Sequence, residues 1–460
     1  MSLRLAPAGA QPAAHGITRH LHPVVDFAEG RYAVGMGNSR MSGAEIAPFA
    51  ILPRMERPDV LVVGGGSAGL SVSHELGSRG VEHLVLERGR IGQAWRDRWD
   101  SFCLVTPNWS VRLPGGEYAG PDPDGYMPRD TIAQFLDDYA GAFGPPIREG
   151  VEVETIVRDV DGFTARTSDG DVHAREVVLA TGAFQRPHRP AAAASLPADI
   201  LQIDLDGYRN PEALPPGAVL VVGSGQSGAQ LAQELHEAGR RVVLSCGRAP
   251  WVPRRVGGRD IVWWLLESGF FDAPASSLPS PLARLVSNPL STGHGGGYDL
   301  NLRLLQASGV ELVGRFMGAT GHAAEFAQDL GASVAWGDDR YREIMALVSR
   351  TAQGLAMAPI AAPEPEPFDA TAPTSVDLRG FGAVVFTGGF RPNFTSWLPW
   401  PEAFDDLGFP LQRDGASTVI DGLSFVGTHF LRKRKSSILA GVGEDAAVVA
   451  AGIAGRLGAG

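Results

Sequence analysis

Cysteine is almost missing from this chain. Its 460 residues hold two, Cys103 and Cys246, too few for a disulfide framework or for Cys-rich zinc and iron–sulfur sites. Positive charge is also short: 40 Lys and Arg against 51 Asp and Glu leave a formal net charge of −11. That balance argues against a nucleic-acid binder working through bulk charge. No uninterrupted apolar run reaches bilayer-spanning length. Prolines stand near the N-terminus where a signal peptide needs its apolar stretch. The eleven histidines show no H-E-x-x-H or comparable ligand spacing. What is present is a globular composition, 44% apolar and 20% charged, over a length suited to two or three domains with a sizeable core. The expectation is a cytoplasmic, cofactor-sized enzyme with no metal, nucleic acid or membrane among its partners. A homo-oligomer stays open.

Residues 1–55 carry no sustained helical or strand period, which predicts a flexible or draped extension. Order begins at Pro58. Asp59-Val60-Leu61-Val62-Val63 is a nearly continuous apolar run, the pattern of a strand buried on both faces of a parallel sheet. Glycines follow, then an amphipathic stretch from Leu70 to Arg79, then His83-Leu84-Val85-Leu86-Glu87, completing a βαβ unit. The unit recurs with Ala218–Val222, Gln226–Ala238 and Arg241–Ser245. Between the copies, Val151–Val160, Phe163–Thr167 and Val172–Leu179 read as strands of one small sheet. Asp260–Leu355 is mostly helical in period, and the proline-rich Ala361–Thr374 reads as a linker. Strands at Ala383–Thr387 and Leu423–Gly427 precede a last helix from about Asp445 to Leu457.

The first copy carries Gly64-Gly65-Gly66-Ser67-Ala68-Gly69, a G-x-G-x-x-G turn directly after a strand. Gly64 makes the tight turn, Gly66 lets the backbone approach a pyrophosphate, and Gly69 lets helix and strand pack closely. The helix start then offers free N–H groups to phosphate. Glu87, followed by Arg88, ends the second strand where an acid binds ribose hydroxyls. Strand, glycines, helix and terminal acid together outweigh a plain glycine-rich turn. The second copy carries Gly223-Ser224-Gly225-Gln226-Ser227-Gly228. Its second strand ends in Ser245-Cys246-Gly247-Arg248, without an acid, and Arg254 and Arg255 lie nearby. A hydroxyl and guanidinium groups suit the 2′-phosphate of NADPH, which a carboxylate would repel. Two nucleotide sites of different character suggest one bound flavin and one exchangeable nicotinamide that passes hydride to it.

With these turns in place, the sequence resembles the class B flavin monooxygenases, the group that includes flavin-containing, YUCCA-type, N-hydroxylating and Baeyer–Villiger enzymes. The matching pieces are the two glycine turns, Gly92-Gln93-Ala94-Trp95-Arg96, Trp99-Asp100-Ser101, Leu104–Asn108 and Leu179-Ala180-Thr181-Gly182. Thr387-Gly388-Gly389-Phe390-Arg391-Pro392 and Phe425-Val426-Gly427 complete the set. The resemblance implies an α/β fold of glutathione-reductase-like architecture, with two Rossmann-like dinucleotide-binding domains. An FAD domain (56–190 and 371–460) would carry an NADPH domain with a helical substrate region (191–370) inserted in it. It implies FAD on the first turn and Glu87, Trp95 and Arg96 along the flavin, and Thr106 to Asn108 near its reactive edge. Thr181-Gly182 and Thr387–Gly389 would be crossover turns, and the helix preceded by Gly441–Asp445 would aim its N-terminus at the flavin pyrimidine. The implied reaction is transfer of one atom of O2 to a small organic substrate through a C4a-(hydro)peroxyflavin, as N- or S-oxygenation or a related step, with Asn108 hydrogen-bonding the peroxide.

One departure stands out. The F-x-G-x-x-x-H fingerprint of the N-oxidising and Baeyer–Villiger enzymes falls here on Ala198, Ile200 and Asp204, none of which matches. The run Arg432–Lys435 reads either as a solvated loop or as a holder of an acidic substrate or cofactor phosphate. Trp263, Trp264, Phe270 and Phe271 form an aromatic cluster that suits core better than substrate contact. Two rival readings remain: a disulfide reductase, which needs a dithiol that Cys103 and Cys246 are too far apart in sequence to supply, and an NADPH-sensing flavoprotein without turnover.

Overall fold

The two apolar runs become the centres of two parallel sheets. The computed structural model describes Glu56 to Gly458, apart from Ser287; the extension read in 1–55 lies outside the described residues. In the first sheet Val60–Val63 sits between His83–Glu87 and Glu176–Leu179, with Ile147–Glu149 and Leu423–Phe425 outside them, all parallel. In the second, Ala218–Val222 sits between Val242–Ser245 and Phe381–Phe386, with Glu311–Val313 and Leu201–Asp204 at the edges. Every residue of both central strands is buried, as expected of Val/Leu runs covered on both faces.

Helix Ser67–Ser78 closes over the first sheet. Leu70, Val72 and Leu76 are fully buried there against Ala446, Ala450 and Ile453 of helix Val442–Leu457. Burying each such aliphatic side chain stabilises the fold by roughly 1.5–3 kcal/mol. The second sheet repeats the arrangement with helix Gln226–Glu237, which buries Leu231 and Leu235.

Three boundaries differ from the sequence reading. The segment Val172–Leu179 is divided: Val172–Ala174 joins an antiparallel sheet with Val153–Asp159 and Gly162–Thr167, whereas Glu176–Leu179 enters the first parallel sheet. The Asp260–Leu355 region contains strands as well as helices, since Phe316–Thr320 and Ala323–Phe326 form a hairpin completed by Ser375–Asp377. Phe381–Phe386 lies in the second sheet, so the chain returns to the first domain near 387–391, not at 371. Short alternating segments carry no local sign of which sheet will take them. The pairing partner decides, and it comes from far along the chain.

Candidate functional site

Each glycine turn stands at the carboxyl end of its sheet's central strand. Gly64 has φ +110° and an added Cβ there would lie 2.6 Å from the Ala180 carbonyl oxygen; Gly223 repeats this with φ +113° against Thr387. Such backbone favours glycine, because φ in this region crowds any side chain. At Gly69 a Cβ would fall 1.8 Å from the Gly64 carbonyl oxygen, and at Gly228 1.9 Å from that of Gly223. Helix and strand therefore touch backbone to backbone at both turns, the close packing the motif requires. Both helices start at glycine N-caps, Gly66 and Gly225, without a capping side chain. Their first N–H groups are left for a ligand.

The first turn opens on a cavity of about 470 Å³. Gly64, Gly66, Ser67, Ala68, Glu87, Arg88, Trp95, Thr181 and Gly182 all line it, so the structure brings these sequence candidates together. An added Cβ at Gly66 meets no protein atom within 4 Å. The Glu87 carboxylate, nearly buried at the cavity wall, accepts N–H bonds from Gly65 (2.6 Å) and Gly89 (2.8 Å). A phosphate cradle clear of side chains, beside a fixed carboxylate at the end of the adjacent strand, fits the pyrophosphate and ribose of a dinucleotide such as FAD.

Several residues on that wall carry no local motif. Arg98 lines the cavity with its guanidinium 4.6 Å from the Phe184 ring centroid, and burial pushes its pKa down to about 10. Phe184 is 51% exposed on the same wall. Asn393, Ser396, Trp397 and Ser437 arrive from the C-terminal part of the chain. Arg98, Phe184 and Asn393 each stand within two residues of a motif quoted above, whereas Ser396 and Trp397 had no such signal.

Other candidates are engaged elsewhere. Arg96 turns from the cavity to Asp137 (2.5 Å) and the Ile91 carbonyl (3.3 Å), tying its turn to helix Arg129–Phe143. Asn108 is buried: its Nδ2 donates to the Asp122 carbonyl (2.9 Å) and its Oδ1 accepts from the Met127 N–H (2.7 Å). Its amide fastens the 122–127 loop, and neither it nor half-buried Thr106 lines the cavity. Asp445 is 1% exposed and 3.2 Å from Arg432, with its pKa raised by burial; Val442, at the helix start, is the residue that reaches the cavity. Trp99 is core, at 3% exposure.

At the second turn, Gln226 ties down Ser291 through both ends of its amide, leaving half-buried Ser227 at the helix start. Thr387 donates to the Gly223 carbonyl at 2.8 Å, coupling this turn to the return crossover. Ser245 is buried, donating to the Gly314 carbonyl (3.1 Å) and accepting from the Phe316 N–H (2.9 Å), so its hydroxyl is internal. Arg254 is 2% exposed. Its Nε and Nη2 donate to Asp260, and its Nη1 to the Val105 carbonyl and Ser291 Oγ. The Tyr126 ring lies 4.7 Å away and its hydroxyl also donates to Asp260. This arginine is a buried strut with every donor group engaged, not a phosphate ligand. Arg248, exposed and without a carboxylate partner among the described residues, keeps its guanidinium free.

Both thiols are buried, and burial raises Cys103 to about 11 and Cys246 to about 12. Neither has the low-pKa, accessible character of a redox dithiol. Among the described residues, no group of three or more His, Cys, Asp or Glu could hold a metal, and no helix is long and apolar enough to cross a membrane. Trp264 and Phe271 are core, whereas Trp263 and Phe270 are half-buried under arginines.

Comparison with known proteins agrees with this geometry. Residues 61–259 match the pyridine nucleotide-disulphide oxidoreductase family. The uncharacterized CzcO-like oxidoreductase of Geobacillus kaustophilus is 31% identical over 390 residues, 84% of this chain and 96% of that protein. Indole-3-pyruvate monooxygenase YUCCA1 of Oryza sativa is 27% identical, covering 79% of this chain and 82% of its own. Among solved structures, the flavin-containing monooxygenase of Stenotrophomonas maltophilia superposes with TM-score 0.61 at 18% identity, over 88% of this chain and all of that one.

Proposed function

Because the chain belongs to the CzcO-like oxidoreductases within the class B flavin monooxygenases, we propose that it is an FAD- and NADPH-dependent enzyme inserting one atom of O2 into a small organic substrate. The observation that carries this reading is the pair of uncapped glycine turns, each at the carboxyl end of a parallel sheet, with the first opening on the 470 Å³ cavity. FAD would be held by the Gly64–Gly69 turn, Glu87 and Thr181-Gly182, with Trp95, Phe184 and Trp397 walling its ring system. NADPH would sit on the Gly223–Gly228 turn, with Arg248 toward its 2′-phosphate. FAD bound there would supply the redox chemistry that takes electrons from NADPH and activates O2. The chain's part is to bind, orient and keep water out: aromatic walls lower the local polarity and slow hydrolytic side reactions. Arg98 adds a cation on the cavity wall, where it favours negative charge.

The dithiol reductase alternative fails on the two buried, high-pKa thiols. The test is stopped-flow mixing of the NADPH-reduced holoprotein with oxygen, followed by product analysis under ¹⁸O2. A long-lived oxygenated-flavin band with NADP+ present, and one labelled oxygen in the product, are expected. Protein that is colourless and stays so after incubation with FAD overturns the reading.

A further inference from the structure

Four consecutive basic residues, Arg432 to Lys435, lie between strand Leu423–Phe425 and helix Val442–Leu457. Three are paired. Arg432 reaches Asp414 (3.1 Å) and Asp445 (3.2 Å). Lys433 reaches Asp272 (2.8 Å) and Glu444 (3.0 Å). Buried Lys435 reaches the same two carboxylates at 3.0 and 2.5 Å.

Arg434 is different. Among the described residues it has no carboxylate partner, and its Nε is buried without a hydrogen bond. Its guanidinium lies 4.2 Å from the Phe270 ring centroid and 4.9 Å from that of Phe430. Burial alone holds its pKa below the usual arginine range. A solvated charge run would not look like this. A partly desolvated cation clamped by two rings keeps its hydrogen-bonding fork for a partner that the described residues do not supply.

The clamp is rigidly built. Phe430 holds φ +49°, left-handed backbone that an aromatic residue rarely adopts. On the other side, Lys433 and Pro274 form a β-bridge, the Arg434 N–H donates to the Ala273 carbonyl (3.0 Å), and both flanking lysines engage Asp272. The nearest acid on the Phe270 turn is therefore already neutralised.

Arg434, Phe270 and Phe430 do not line the cavity themselves, but the turn that carries Arg434 reaches it at Ser437. Arg434–Ser437 is a 3₁₀ turn, in which residues i and i+3 eclipse, so Arg434 and Ser437 share a face. Ser437 lines the cavity, and its Oγ lies 2.8 Å from Nδ1 of His429, whose ring meets Phe184 on the same wall.

We propose that Arg434, between Phe270 and Phe430, is the anchor for the carboxylate of an acidic organic substrate whose body extends toward the Ser437 end of the cavity. The planar fork matches a carboxylate through two parallel N–H bonds, and the rings offer apolar contact to the body of the molecule. This assignment deepens the proposed monooxygenase function and rests on it. A phosphate of NADPH has related anion chemistry and is the competing occupant.

The test is calorimetric titration of the FAD-loaded protein with phenylacetate and with its neutral isostere phenylacetamide. The wild type is expected to bind the acid about tenfold more tightly or better, as hydrogen bonds to a charged group imply. Arg434→Gln removes that preference, and Arg434→Lys, which keeps the charge without the fork, restores part of it. Equal binding of the two probes by the wild type, or a preference that survives Arg434→Gln, overturns the assignment. NADPH titrated into the same variant separates the two anions: a loss of NADPH affinity as large as the loss of phenylacetate also overturns it. Protein that takes up no FAD fails the earlier reading and is recognised by its missing visible absorbance. Coloured protein indifferent to Arg434 fails this one alone.

Discussion

Replacing Gly66 and Gly69 by alanine, one at a time, asks whether the first turn is built for a ligand or for itself. The two positions lie three residues apart and face opposite constraints. At Gly69 a methyl group would sit 1.8 Å from the Gly64 carbonyl oxygen. Helix Ser67–Ser78 would have to move off the central strand by more than 1 Å, loosening the packing of Leu70, Val72 and Leu76. Overpacking on that scale costs about 3 kcal/mol. At Gly66 the backbone is extended, φ −82° and ψ −171°, and a methyl meets no protein atom within 4 Å. The flavin-free Gly66→Ala variant should therefore be as stable as wild type or better by ~0.5 kcal/mol, through its stiffer unfolded chain. Its methyl occupies the space where a pyrophosphate would approach the backbone. Losing one N–H bond to a charged phosphate is worth about 2 kcal/mol, or ~30-fold in Kd. The assay is thermal or urea unfolding of the stripped apoproteins, paired with FAD titration followed by fluorescence quenching. Gly66→Ala that binds FAD with wild-type affinity, or that destabilises the apoprotein as Gly69→Ala does, would refute the cradle assignment.

Other substitutions probe the remaining parts. Arg248→Ala should raise the Kd for NADPH about tenfold while leaving NADH nearly unchanged, since only NADPH carries the 2′-phosphate; equal weakening in parallel titrations removes Arg248 from that role. Asp260→Asn strands the buried Arg254 guanidinium and should cost about 3–5 kcal/mol in urea unfolding. The apolar pair Arg254→Met with Asp260→Leu should recover part of it, less what the Tyr126 hydroxyl and Val262 N–H lose with their acceptor, and a double variant less stable than the single would contradict the strut. Burial pushes His429 down to about 4, below its unfolded value of about 6.5. The unfolded chain then takes the proton first, so this group's contribution is complete above about pH 6.5 and is lost as pH falls toward about 4, by up to about 3 kcal/mol. His429→Gln should flatten that part of the stability profile, and an unchanged slope would show that the ring titrates normally.

Local pattern already contained both βαβ units, because a strand covered on both faces needs an unbroken apolar run and a phosphate turn needs glycine where backbone must approach backbone. Val60–Val63, Ala218–Val222, the two glycine turns and Glu87 are all features of neighbouring residues, and each stands where its sequence placed it. Tertiary structure alone decided what individual polar side chains do. Arg248 and Arg254 are the same residue type six positions apart, yet one is exposed and the other is locked into Asp260 and the Val105 carbonyl. Likewise Asn108, Ser245 and Arg96 suit a cofactor by type but were claimed by partners on other segments. The guanidinium of Arg434, without a carboxylate partner among the described residues, could not be told from its three paired neighbours until the Phe270 turn lay against it. Backbone geometry follows from residues that are close in the chain, whereas the partner of a long charged side chain is set by segments that only folding brings near.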